Sequence, residues 1–274
     1  MKFLKVAAIA GVLTGGVLAG QALAADGKSA PVKPSSKGHP LSEIWSGYHF
    51  AKAGTQAMQN DEIENPGMAW NDIGMELWSK VDGEAGKACA SCHNAAEDSM
   101  KGVGTRYPIY YEPWKKPITL EQRINLCREK HMKAKTWKFD SNQMLGMMIY
   151  VKRQSIGMPM NVKVDGPIKP FFEKGKAFYY QRRGQLDMSC AHCHEKYFGE
   201  QIRMNTLSQG QSNGFPVYRL KWQKPGSIHR RFKGCNKQVR AKPFKSGSDE
   251  YVNLELYLAW RGQGLQVETP GVRN

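Results

Sequence analysis

The apolar positions at the start of the chain form a single run, MKFLKVAAIAGVLTGGVLAGQALA, with two early lysines and small residues at its end. A basic start, a short apolar stretch and the sequence Ala22-Leu23-Ala24 predict a secretory signal peptide over 1–24, with the mature chain starting near Ala25. No later run approaches membrane-spanning length, so no stable membrane insertion is expected. Residues 41–60 predict a helix. The stripe Leu120, Ile124 and Cys127, behind the capping-box pair Thr119 and Gln122, predicts another with its apolar face turned inward. LGMMIYVKRQ (145–154) resembles LELYLAWRGQ (254–263) at an offset of 109, and both read as long helices. Residues 249–261 are apolar on nearly every side, which places that helix deep in a core.

A second correspondence is stricter. Gly74, Trp78, Gly83, Cys89, Cys92 and His93 match Gly175, Tyr179, Gly184, Cys190, Cys193 and His194 at a constant offset of 101. Gly and Pro concentrate in GMPMNVKVDGPIKP (157–170), which marks a boundary. The expected architecture is mainly α: two tandem domains related by internal duplication, at 25–160 and 161–274. The chain carries 40 Lys and Arg against 24 Asp and Glu, a formal charge of +16. That surplus favours anionic substrates or acidic partners, and export argues against nucleic acid.

The six cysteines settle the class of chemistry. An even count in an exported protein suggests disulfides, but residues 89–93 are CASCH and 190–194 are CAHCH. In C-x-x-C-H, two thiols three residues apart meet the two vinyl groups of one haem, and the next imidazole lies under the iron. Zinc sites and thioredoxin-like motifs do not account for the repeated trailing histidine. Two covalent c-type haems are expected, attached at Cys89 and Cys92 and at Cys190 and Cys193, with His93 and His194 as proximal ligands.

Cys127 and Cys235 remain, at comparable places in the two domains. Three readings compete: distal thiolate ligation of each iron, a Cys127–Cys235 disulfide, and inert thiols. Met158, followed by Pro159, rivals Cys127 as the first distal ligand. Met204 is available to the second haem, while His131 and His229 read as surface residues and His192 as spacer. Cys235 lies between Gly234 and Asn236 and reads as a loop residue, beside Arg230, Arg231 and Lys233. Those cations hold a thiol toward thiolate.

The segments SGYHF (46–50), NPGMAW (65–70), YRLKWQ (218–223), HRRFKGCN (229–236) and LELYLAWRG (254–262), with both haem motifs, resemble the SoxA family. These are dihaem subunits of the SoxAX cytochromes of bacterial thiosulfate oxidation. The resemblance implies a periplasmic enzyme, an L-cysteine S-thiosulfotransferase, paired with a SoxX-like monohaem cytochrome. It implies joining of thiosulfate to a cysteine of a SoxYZ-like carrier, with release of two electrons. It further implies Cys127 and Cys235 as haem ligands, Cys235 as the sulfur-handling residue, and Arg231 and Arg261 lining the catalytic site. In this alignment Lys152 takes the place of Arg261 in the first domain. Planar guanidinium groups suit sulfonate oxygens, although haem propionates attract arginine equally well. Two other activities fit the same motifs: thiosulfate dehydrogenation to tetrathionate, and electron transfer without sulfur chemistry.

Overall fold

The computed structural model describes residues 30–274, so the expected signal peptide lies outside the described residues. Helices dominate, joined by short strand pairs. The first half runs through α1 (Ala53–Asn60), α2 (Met68–Ser79), α3 (Ala90–His93) and α4 (Ala96–Ser99). A hairpin of β1 (Ile109–Tyr111) and β2 (Lys116–Ile118) then leads into α5 (Leu120–Cys127) and α6 (Asn142–Arg153). The second half follows much the same order. It begins with α7 (Lys169–Tyr180), a π-helical turn at His192–Lys196, and a small hairpin of β3 (Gln201–Ile202) and β4 (Asn205–Thr206). Next come β5 (Val217–Arg219), β6 (Lys224–Gly226), α8 (Ile228–Gln238), α9 (Asp249–Arg261) and β7 (Gly271–Arg273). Strand β5 pairs antiparallel with β6 and parallel with β7.

Local chemistry explains where the main helices start. Thr119 accepts from Gln122 N, and Gln122 Oε1 accepts from Thr119 N, completing the expected capping box of α5. Ser141, Ser227 and Ser248 cap α6, α8 and α9 in the same way. Residues 41–60 only partly meet the expectation of a helix. Residue 44 pairs with residue 32 in an isolated bridge, Gly47–Phe50 forms a 3-10 turn, and only α1 is α-helical.

Each half has its own core. In the first, Trp78, Leu120, Met144, Met147 and Val151 pack together. In the second, α9 is buried along its length, as its sequence predicts, against Phe172, Tyr179 and Phe232. The helix crossings show the register of the two halves. A Cβ on Gly74 would stand 2.3 Å from Gly146 O, and one on Gly175 would stand 1.9 Å from Asn253 O. So α2 meets α6, and α7 meets α9, backbone to backbone. These contacts pair residue 146 with residue 253, an offset of 107 that corrects the 109 read from the sequence. At that offset Gln154, not Lys152, aligns with Arg261, and the buried Lys152 donates from Nζ to Phe215 O at 2.6 Å. Two apolar helices can be aligned by letter with a slip of two residues. Close backbone contact at a small residue does not allow that slip.

Candidate haem sites

The second site is the better defined. His194 lies on the π-helical turn that follows Cys190. Its Nδ1–H donates to Ser208 O at 2.7 Å, which leaves the Nε2 lone pair for a metal. Gly210 makes room for the ring. Its φ is +75°, and a Cβ there would stand 2.9 Å from the imidazole Cγ. Cys235 lies close enough to the same imidazole for His194 to favour its thiolate, so a thiol and the expected proximal histidine of one C-x-x-C-H segment are brought together.

The loop expected at Cys235 is not found. Cys235 lies in the last turns of α8. Gly234 and Asn236 disfavour a helix, but the Ser227 cap and the burial of Ile228 and Phe232 outweigh them. Arg231 sits one turn earlier, half-buried. Burial pushes the Cys235 thiol up, but Arg231, the His194 hydrogen bond and Arg219 outweigh it and bring it down to about 7. Burial prevails at Cys190, pushed up to about 12, and it also raises Cys89, Cys127 and Cys193.

Arg261 comes from the end of α9 and is fully buried. One guanidinium N–H donates to Gln209 O at 3.0 Å, another nitrogen lies 3.1 Å from Glu195 Oε1, and the group stacks 4.6 Å from the Tyr179 ring centre. Its Nε and the Tyr179 hydroxyl have no hydrogen-bond partner among the described residues. Arg219 of β5 is missing from the residues expected from sequence. It is 9% exposed, donates from Nε and a terminal nitrogen to Asn274 O, and lies over Trp222. Burial, with Arg231 nearby, brings it down to about 10.

At the first site Cys127 ends α5, and Cys89 packs against the first core. Burial is the main cause of the rise at Cys89 and Cys127; neighbouring Cys127 and Cys92 add to it at Cys89, and Cys92 at Cys127, where Arg123 opposes it. His93 lies 6.0 Å from Trp78, ring centre to ring centre. Met158 lies in a segment bonded to 265–267, with its methyl end near Gly102. Met204 is 72% exposed in the β3–β4 hairpin. All six cysteines are free, which overturns the disulfide reading. His131 is exposed as expected, whereas His229 is buried completely, a correction taken up below. His192 accepts from Ser189 N at 3.1 Å, a local role consistent with spacer.

The residues present fit haem c. Each site offers two thiols at attachment spacing, an imidazole and a further cysteine. At the second site the orphaned Arg261 Nε and Tyr179 hydroxyl await an anionic or polar partner of the kind haem propionates provide. No helix among the described residues is long and apolar enough to cross a membrane.

Short helices closed around C-x-x-C-H segments, with a histidine held through Nδ1, define a c-type cytochrome carrying covalently bound haem c. Residues 73–160 match the family model described as SoxA/TsdA, cytochrome c domain. Proteins named L-cysteine S-thiosulfotransferase subunit SoxA are similar over most of the chain. The one from Pseudaminobacter salicylatoxidans is 46% identical over 86% of this chain and 83% of its own length. The one from Rhodovulum sulfidophilum is 46% identical over 88% and 84%. A crystal structure of SoxXA from P. pantotrophus contains a chain that superposes with a TM-score of 0.86 at 42% identity, covering 90% of this chain and 94% of that one. The chain belongs to the SoxA family.

Proposed function

We propose that this chain is a periplasmic dihaem subunit that oxidatively joins thiosulfate to a cysteine of a SoxYZ-type carrier protein, in a heterodimer with a SoxX-like cytochrome. Residues 25–160 and 161–274 are read as duplicated haem units, the second catalytic. The observation that carries this reading is the Cys235 thiol, close to His194 and drawn toward thiolate by Arg231. The likeness to a SoxXA chain supports the heterodimer.

Bound haem would supply one-electron acceptors near the reacting sulfur, the two electrons being taken up one each by that haem and the SoxX-like partner cytochrome. The chain's own residues do the rest. Cys89, Cys92, His93 and Cys127 would hold one haem, and Cys190, Cys193, His194 and Cys235 the other. Arg231, Arg261 and Arg219 bind the sulfonate end of the dianion and aim its terminal sulfur at Cys235. Cys235 thiolate and thiosulfate form one S–S bond with loss of two electrons, giving Cys235–S–S–SO3⁻. The carrier thiolate then attacks the middle sulfur, and Cys235 thiolate leaves. In sum, a carrier thiol and thiosulfate give the carrier conjugate, one proton and two electrons.

Replacing Cys235 by Met tests this. Conjugation should fall to background while haem content is kept, and the wild-type protein should show the thiosulfate mass adduct on Cys235. Undiminished conjugation in Cys235→Met overturns the role of Cys235.

A further inference from the structure

Glu121 and His229 occupy corresponding places in the two halves, each six residues ahead of a candidate ligand, Cys127 on α5 and Cys235 on α8. They are 2% and 0% exposed. At the junction of the halves they gather with Glu255 of α9 and Lys152 of α6. Glu121, Glu255 and Lys152 line a cavity of about 30 Å³, with Tyr107 and Ser212 also in its lining. That volume suits a single water.

The hydrogen bonds define the proton inventory. His229 Nδ1 accepts from Gly247 N at 2.9 Å, so the neutral ring carries its proton on Nε2, which lies 3.0 Å from Glu255 Oε2. Oε2 of Glu121 and Oε2 of Glu255 have no hydrogen-bond partner among the described residues. Lys152 spends one N–H on Phe215 O. Burial pushes Glu121 up to about 7, Glu255 adds to the rise, and His229 opposes it. Burial lowers Lys152, opposed by Glu255 and Glu121. One cation balances one carboxylate. A second carboxylate in this setting is costly unless it takes up a proton.

We propose that this junction is a proton-binding site, one proton shared between Glu121 and Glu255, whose occupancy is coupled to reduction of the haems beside Cys127 of α5 and Cys235 of α8. Six residues of helix separate Glu121 from Cys127 and His229 from Cys235, a rise of about 9 Å in each case. A charge added on the order of 10 Å from a proton site, at an effective dielectric near 20, changes its proton affinity roughly tenfold. Each electron that arrives draws in up to one proton from solvent water, and each that leaves releases it. The coupling needs only haem beside Cys127 or Cys235, and it is independent of the sulfur chemistry proposed above.

The test is a spectroelectrochemical titration of the haem-loaded protein from pH 5.5 to 8.5. In the wild type the midpoint potential should fall with rising pH around neutrality, because the reduced form binds the proton about tenfold more tightly. Glu121→Gln and Glu255→Gln should flatten that dependence, and Cys235→Met should retain it even if carrier conjugation is lost. A redox-induced infrared difference spectrum of the wild type should show a protonated carboxyl that Glu121→Gln alters. A pH-independent wild-type potential, a slope unchanged in both Gln variants, or no carboxyl signal overturns the proposal.

Discussion

Arg219 is largely buried and is held by the Asn274 main-chain oxygen and the Trp222 indole face. Arg231 presses a second positive charge on it. A dianion would stabilise such a pair of cations, which is the ground for placing Arg219 in the proposed substrate cradle. Arg219→Met should lower kcat/KM for thiosulfate about tenfold, mostly through KM, in line with loss of one charge-assisted hydrogen bond. Haem content and visible spectrum should stay unchanged, and Arg219→Lys should recover part of the loss. Steady-state kinetics with a fixed carrier concentration measures both. A normal KM in Arg219→Met removes Arg219 from the cradle. The residues of this site differ in how readily the sequence reveals them. Cys235 and Arg231 stand in one contiguous segment, and the C-x-x-C-H spacing exposes the attachment cysteines. Arg219, Ser208 and Gly210 reach the site from a strand and a loop distant in sequence. Their side chains carry no spacing signal, since only the fold places them against Cys235 and His194.

Among the helices, the close contacts of Gly74 and Gly175 decide how the two halves are built. With a Cβ only 1.9 Å from Asn253 O, Gly175→Ala forces α7 away from α9 and should destabilise the protein by about 1–3 kcal/mol. Gly54 is the control, exposed in α1 with nothing within 4 Å of a Cβ. Gly54→Ala should stabilise by about 0.5 kcal/mol through helix propensity and the unfolded chain. Urea midpoints of the two variants check both signs. Helices with strong caps and apolar faces, such as α5 and α9, are legible from pattern alone. Helix α8 is not, because its Gly234 and Asn236 look like a turn until Phe232 and Ile228 are seen to be buried. His229 misleads for the same reason: an imidazole amid arginines reads as surface, but it stacks on Phe139 and meets Glu255 at the junction.

Across the whole molecule, the two proposed units are not joined by the 157–170 segment alone. The chain before α1 lies against the second half: Trp45 N donates to Gln209 Oε1, Ser46 Oγ to Glu268 Oε2, and His39 Nε2 lies 3.1 Å from Arg261 O. Further on, Asn65 Nδ2 donates to Pro270 O. The boundary segment itself bonds to the end of the chain, with Gly157 N to Val267 O and Met160 N to Leu265 O. Ser227 N donates to Asp140 Oδ1 across the junction, and the charged cluster sits beside it. Buried polar groups shared between two cores lose partners when either half opens alone, at about 1–3 kcal/mol for each one left unsatisfied. Several such groups together make a half-unfolded state poorly populated, so the halves should unfold as one cooperative unit. Urea denaturation of the haem-loaded protein should therefore give coincident transitions by far-ultraviolet circular dichroism, tryptophan fluorescence and haem absorbance. Residues 161–274 expressed alone should melt well below the full chain, since they lack the strap from 30–65 and half of the charged junction. Two separated transitions in the full chain, or a fragment as stable as the whole, would show that the junction only docks two independent units. Proton exchange at the Glu121–Glu255 site would then occur by separation of the halves rather than within a closed interior.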